Sequence, residues 1–402
     1  MKKNFDILII GSGIIGMTLA IELKKLFSDS QIAILEKESQ IAQHASGRNS
    51  GVLHAGFYYS ADSLKAKFTR DGNIAMRDYC QQKNLKINQC GKLVVTKNEA
   101  ELTGLKELQR RATANNVHLD WIDEKQAQDI EPNVKTHQNA LWSPNTATVD
   151  PKEIMNSLRQ DVQAMGITLL KNTLYVGKIK NKNAITTNQG TFEASYIINT
   201  AGLYADKIAN DFNFSEHYRI LPFKGLYLYS NNNKTKLNTN IYPVPNLEHP
   251  FLGVHFTLTV DGLAKIGPTA IPAFWREHYQ GFDRFNFSEF LEVIGRESRL
   301  FINNKFNFRQ LAYTEVKKYY RPHMIAEAEK LLQNTKQMQF NQWGKPGIRA
   351  QLINTKDYSL EMDFKFEGDN KSFHVLNAVS PAFTCSIPFS QYLAKKIQGL
   401  IG

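Results

Sequence analysis

The chain has 402 residues, enough for two ordinary domain cores, and its 49 Lys and Arg exceed 38 Asp and Glu for a net charge of +11. The basic residues are scattered in short pairs such as Lys24-Lys25, Arg110-Arg111 and Lys317-Lys318, which argues against a nucleic-acid track and leaves acidic small molecules or an anionic surface as partners. Cys80, Cys90 and Cys385 form neither a CxxC pair nor an even framework, which excludes a disulfide scaffold and structural zinc and points to a reducing compartment.

The chain opens with an apolar strand, "FDILII", a tight turn, "GSGIIG", and the apolar-periodic helix "MTLAIELKKLF"; a second strand, "QIAILEK", follows. Asp6 and Glu22 bound this apolar stretch and no small-residue cleavage site follows, so it does not read as a signal peptide. No run approaches the roughly 18 apolar residues of a membrane span. The expected location is cytoplasmic, with any membrane association peripheral.

The loop "HASGRNSGVLHAG" is aperiodic and long enough to wrap a ligand. Helices are expected over residues 62 to 84 and 98 to 116, separated by the strand "GKLVV", and another helix after Pro151. From about residue 167 the pattern turns to strands: "ITLL", a hairpin around Gln189-Gly190, and the buried, parallel-looking "SYIINTAG". Residues 217 to 268 alternate apolar and polar, as an antiparallel sheet with one packed face does. A largely helical segment runs to about residue 336, and the end of the chain returns to strand, loop and helix.

Gly11, Gly13 and Gly16 form G-x-G-x-x-G between strand and helix, the arrangement in which the helix N-terminus faces a pyrophosphate. Glu36 closes the next strand, where a carboxylate binds ribose hydroxyls. A single fingerprint with distant supporting segments suits FAD better than NAD, because FAD is one long extended ligand.

The segments "DILIIGSGIIG", "LEKE", "NSGVLHAGFYY", "DSLKAKF", "CGKL", "FLGVHFT", "GIRAQL" and "SPAFTCSIPF" together resemble the L-2-hydroxyglutarate dehydrogenases and oxidases, within the D-amino-acid-oxidase-like FAD enzymes. "NSGVLHAGFYY" with "FLGVHFT" is the specific part. The resemblance spans essentially the whole chain. It implies an α/β fold: a Rossmann-like FAD-binding domain with a parallel sheet (1-88, 148-216 and 339-402) interleaved with an α+β substrate domain on a mostly antiparallel sheet (89-147 and 217-338). Expected cofactor contacts are Gly11, Gly13, Ile14, Ile15, Gly16, Glu36, Lys37, His44, Asn49, Ser50, Gly51, Val176, Ala201, Gly202, Arg349, Ser380, Ala382 and Thr384; the N–H groups near Ser380, Ala382 and Thr384 would face the flavin pyrimidine edge.

Oxidising a 2-hydroxy acid needs hydride transfer from C2 to flavin N5, a base for the hydroxyl proton and donors for the carboxylates. His255 and His54 are the candidate bases, since a neutral imidazole suits that role near pH 7. His54 could instead carry the flavin covalently, although noncovalent FAD is the expectation. Lys224, Arg349, Tyr58 and Tyr242 are the candidates for binding a small dicarboxylic 2-hydroxy acid, Arg349 with the flavin as its alternative partner. No metal site is expected. The resemblance also implies electron delivery to a membrane quinone or to oxygen, and the stretch "FWREHYQGFDRFNF" from Phe274 to Phe287 mixes aromatics with arginine as an interfacial contact does. Alternatives on the same fold are an amine or amino-acid oxidase and a tRNA-modifying flavoprotein.

Overall fold

A computed structural model describes residues 3–231, 237–245 and 253–402. Two compact units emerge, the first from residues 1–49, 151–222 and 349–402, the second from 50–150 and 223–348.

The first unit is built on a parallel sheet. Lys3–Ile10 lies between Gly190–Asn199 and Ile32–Leu35; Ser372–Asn377 extends the sheet beyond the former and Thr168–Leu170 beyond the latter. The last four residues of Lys3–Ile10 and all of Ile32–Leu35 are buried, as strands covered on both faces must be. The hairpin predicted at Gln189-Gly190 pairs Ala184–Thr187 antiparallel with the start of Gly190–Asn199. Helix Ile14–Leu26 packs on helix Ala382–Ile401, and the hydroxyls of Thr18 and Ser390 bond at 2.7 Å between them.

The second unit carries a sheet in the order Phe340–Trp343, Leu228–Ser230, Ala264–Gly267, His255–Leu258, Asn240–Pro243, Lys92–Val95, Asn139–Ser143, Asp120–Asp123. Neighbours are antiparallel except Asn240–Pro243 and Lys92–Val95, which run parallel. That parallel pair brings together strands from two distant parts of the chain. Leu93, Val95, Ile241, Phe256 and Ile266 form the core beneath it.

The units divide at Asn49/Ser50 and Ile348/Arg349, not at residues 88 and 338 as expected from the sequence. Strands Val52–Leu53 and Ile87–Asn88 both pair antiparallel with Ala147–Val149, so the segment between them, with helix Leu64–Gln82, goes with the second unit. Likewise Phe340–Trp343 pairs with Leu228–Ser230. His54 therefore shares a unit with His255.

Candidate active site

In the first unit the glycines are required by close approach. Gly11 has φ +107°, and a Cβ there would sit 2.7 Å from the Thr200 carbonyl oxygen; one on Gly16 would sit 2.0 Å from the carbonyl oxygen of Gly11. Gly13 precedes helix Ile14–Leu26 in extended backbone with no side-chain cap, and the N–H of Ile14 donates to Ser46 Oγ at 2.9 Å. The Glu36 carboxylate accepts the N–H of Ser12 at 3.3 Å, the Ser12 hydroxyl, and the N–H of Glu38 at 2.9 Å. A helix N-terminus whose N-cap residue is a glycine without a side chain, flanked by a fixed carboxylate, is suited to pyrophosphate and ribose.

In the second unit, sheet and loop bring basic and phenolic groups into one buried cluster. His255 opens its strand, and its ring stacks on Tyr242 at 3.7 Å. Its Nδ1 lies 3.1 Å from the Gly253 carbonyl oxygen. A carbonyl can only accept, so Nδ1 carries the proton and Nε2 of the neutral ring is a lone-pair base. Nε2 is buried and has no hydrogen-bond partner among the described residues. Burial first, then the charges of Lys92 and His54, hold His255 well below the ordinary histidine range. His54 is lowered to about 3 by burial and by Lys92. Its backbone is held by Asn73, whose Nδ2 donates to the carbonyls of Leu53, His54 and Asn145 at 3.1, 3.3 and 3.0 Å. Lys92 Nζ lies 4.7 Å from the ring centres of Tyr58 and Tyr242 and 4.8 Å from that of Phe57. Burial raises the Tyr58 and Tyr242 hydroxyls above the ordinary phenol range.

The family model described as FAD dependent oxidoreductase matches residues 6–395. The chain belongs to this family of FAD-dependent oxidoreductases. It is 34% identical to the L-2-hydroxyglutarate dehydrogenase of Escherichia coli K12, over 99% of this chain and 94% of that one, and 34% identical to the mitochondrial L-2-hydroxyglutarate dehydrogenase of Homo sapiens, over 98% and 89%. Among solved structures it is similar to the FAD-bound, dithionite-reduced L-alpha-glycerophosphate oxidase of Mycoplasma pneumoniae (TM-score 0.75, 20% identity, 98% and 95% covered). It is also similar to the glycine oxidase of Geobacillus kaustophilus (TM-score 0.73, 17% identity, 99% and 95% covered). These two likenesses concern the fold.

The geometry of the first unit fits the flavin nucleotide of this oxidoreductase family. Gly11, Gly13, Ile14, Ile15, Gly16 and Glu36 converge at the cradle. Lys37 Nζ rests 4.7 Å over the Tyr204 ring, and His44 Nε2 lies 2.9 Å from Glu38 Oε1. Asn49 Nδ2 donates to the Ala45 and Ser46 carbonyls at 3.2 and 3.0 Å. The N–H of Ala201 donates to Asn199 Oδ1 at 3.1 Å beside Gly202, which takes φ +56°. Exposed Ser380 precedes helix Ala382–Ile401, which has no side-chain cap and whose Ala382 and Thr384 are buried. Val176 is 62% exposed on the edge strand Tyr175–Lys178, and ahead of that strand the N–H of Thr173 donates to the Glu36 carbonyl at 2.8 Å. The turn after Thr168–Leu170 reaches Glu36 before that edge strand begins.

Ser50 and Gly51, expected at the cofactor, belong to the second unit: the Ser50 carbonyl accepts from Lys265 Nζ at 2.8 Å and the Gly51 carbonyl from the N–H of Val149 at 2.9 Å. Of the substrate candidates, Tyr58 and Tyr242 join the histidine cluster around Lys92. Lys224 is buried next to His278 and is lowered to about 8 by burial, while burial and then Lys224 lower His278 to about 4. Arg349 is half-buried in the first unit, on strand Gly347–Asn354. Lys92 and Lys265 escaped the sequence reading. The available signal was a lysine within a short apolar strand, "KLVV" and "AKIG", where a solvated charge is out of place.

Proposed function

We propose that the protein oxidises L-2-hydroxyglutarate to 2-oxoglutarate. The observation that carries the reading is the neutral, lone-pair Nε2 of His255, fixed by the Gly253 carbonyl in a buried basic cluster. FAD, when bound, supplies the two-electron acceptor for the hydride that leaves C2. His255 Nε2 takes the hydroxyl proton as that hydride departs, and the product is the ketone. The relatives' dehydrogenase activity on this substrate supports the same assignment.

For electron acceptor we favour a membrane quinone. Helix Phe287–Asn303 supports it: beside the buried Val293 and Leu300 it leaves Phe287, Leu291, Phe301 and Ile302 exposed. Phe282 is 84% exposed just ahead of it, and Arg309 and Lys317 follow it, as an anionic interface requires. The aromatic stretch itself divides. Trp275 and Tyr279 are buried, while Phe274, Phe282, Phe285 and Phe287 are exposed. No helix among the described residues is long and apolar enough to cross a membrane.

The test is anaerobic bleaching of the holoenzyme flavin with both enantiomers of 2-hydroxyglutarate, lactate and glycine, followed by product analysis, then turnover with a quinone in anionic liposomes and with oxygen. Selective bleaching by the L-enantiomer with formation of 2-oxoglutarate is expected, with faster turnover on quinone. Equal bleaching by glycine would sink the substrate assignment, and oxygen outrunning quinone would sink the acceptor.

A further inference from the structure

The centre of the second unit's sheet contains a group with no place in the reaction described so far. Lys92 is the first residue of its strand, between Asn240–Pro243 on one side and Asn139–Ser143 on the other, and it is fully buried. Its Nζ faces the rings of Phe57, Tyr58 and Tyr242 at 4.7 to 4.8 Å. Aromatic faces stabilise a cation but accept none of its three hydrogen bonds in the way an oxygen does. Nζ has no hydrogen-bond partner among the described residues.

We propose that Lys92 is a substrate-binding residue: its neutral amine takes up a proton from solvent as the dicarboxylic 2-hydroxy acid arrives, and the ammonium so formed seats one of its carboxylates. This inference rests on the substrate reading above. Three polar atoms of the cluster, Lys92 Nζ, the Tyr58 hydroxyl and His255 Nε2, are buried without partners among the described residues. Buried polar atoms are almost always paired, so a set of them in one place marks a ligand's position. Lys92 and Tyr58 are donors that suit a carboxylate, and His255 Nε2 is an acceptor that suits the hydroxyl of the same molecule.

The electrostatics give the seat its proton coupling. Burial lowers Lys92 to about 7, opposed only by Cys90, which stands two residues ahead of it. The other titratable groups facing it are His54, His255, Tyr58 and Tyr242, of which both histidines are pushed down by its charge. No carboxylate is among the groups that shift it. An incoming carboxylate is thus the missing counter-charge, and the neutral amine gains one proton to become the ammonium that the carboxylate pairs with.

Glutarate, which has both carboxylates and no oxidisable hydroxyl, is the probe. Bound to the holoenzyme near pH 8 and followed by flavin absorbance and by calorimetry in buffers of different ionisation enthalpy, it should draw close to one proton. Lys92→Met should weaken glutarate by about 100-fold and abolish the uptake, the loss of a buried charge pair, while Lys92→Arg should recover most of the affinity without uptake. FAD content and melting temperature establish that each variant is folded. Glutarate binding to Lys92→Met within about threefold of the parent, or uptake unchanged in that variant, overturns the proposal. Should Lys92→Met not retain FAD, the parent enzyme decides: glutaramide binding as tightly as glutarate, or glutarate binding without proton uptake, overturns it as well. Failure of L-2-hydroxyglutarate to bleach the parent flavin is a separate result and removes the substrate reading instead.

Discussion

The nucleotide cradle of the first unit and the basic cluster of the second solve opposite problems. At the cradle the polar groups are occupied within the protein: Glu36 is held by Ser12 and by the N–H of Glu38, Thr18 by Ser390, and the N–H of Ile14 by Ser46. What is reserved for a ligand there is space, enforced by glycines that tolerate no Cβ. In the second unit the rings of Phe57, Tyr58 and Tyr242 surround the polar groups, and what is reserved is unmet hydrogen bonding at Lys92, His255 and Tyr58. Preformed backbone suits a cofactor that stays bound. Stored desolvation suits a substrate that must bring its own charges and leave after they change.

Breaking the cradle should have the larger effect. A methyl at Gly16 would collide with the Gly11 carbonyl oxygen at 2.0 Å, so neither backbone segment can yield without undoing the turn. Gly16→Ala should give protein without FAD, read as loss of the 450-nm band and a lowered melting temperature. A variant retaining full flavin would show that the turn has slack.

The cluster can be broken without disturbing the cradle. His255→Gln should keep FAD and slow its reduction by about 10² to 10⁴, the usual contribution of a positioned base. Its pH dependence sharpens the contrast. His255 is held well below its ordinary value, so the base stays neutral and the reduction rate of the parent enzyme should stay level as pH falls through 6.5. The stability sign runs the same way. The unfolded chain protonates His54 below about 6.5 whereas the folded one resists until about 3, so stability is present above 6.5 and is lost as pH falls across that window. A rate that halves near pH 6.5 in single-turnover reduction contradicts a desolvated base.

The same contrast explains what could be read from the sequence. The strand, glycine turn, helix and Glu36 are contiguous and carry their own spacing, and the parallel strand of "SYIINTAG" is buried through its last four residues to Asn199, three residues before Gly202, so those elements appear close to where the pattern puts them. His54 and His255 stand out as isolated polar residues in distinctive segments. Lys92 does not, because its importance comes from strand pairing: only the parallel alignment of Lys92–Val95 with Asn240–Pro243 brings it to Tyr242, and no local periodicity encodes a partner so distant in the chain. The misplaced division at residue 88 has the same origin, since the short strands at Val52 and Ile87 have a meaning only once Ala147–Val149 lies between them.

The smallest effect is expected where the cradle draws on a side chain instead of backbone. Ser46 lies in the loop after the second strand, and its hydroxyl accepts the N–H of Ile14, the first residue of the phosphate-facing helix. A Cβ on Gly13 would come 3.3 Å from that same oxygen, so Ser46 occupies the space beside the helix N-terminus that glycine leaves open. Ser46→Ala removes one hydrogen bond at a partly buried position, worth about 1 kcal/mol. It leaves the Gly11 and Gly16 approach, and Glu36, unchanged. FAD affinity measured by fluorescence recovery should therefore fall by about threefold to tenfold, in keeping with a bond of that strength, with the rate of flavin reduction unaltered because every group of the basic cluster is retained. A loss of FAD as complete as that of Gly16→Ala would mean that the side-chain cap, and not the glycine backbone, sets the shape of the cradle. An unchanged affinity would mean that the phosphate takes over the Ile14 N–H when it binds, so that the serine serves only the ligand-free chain.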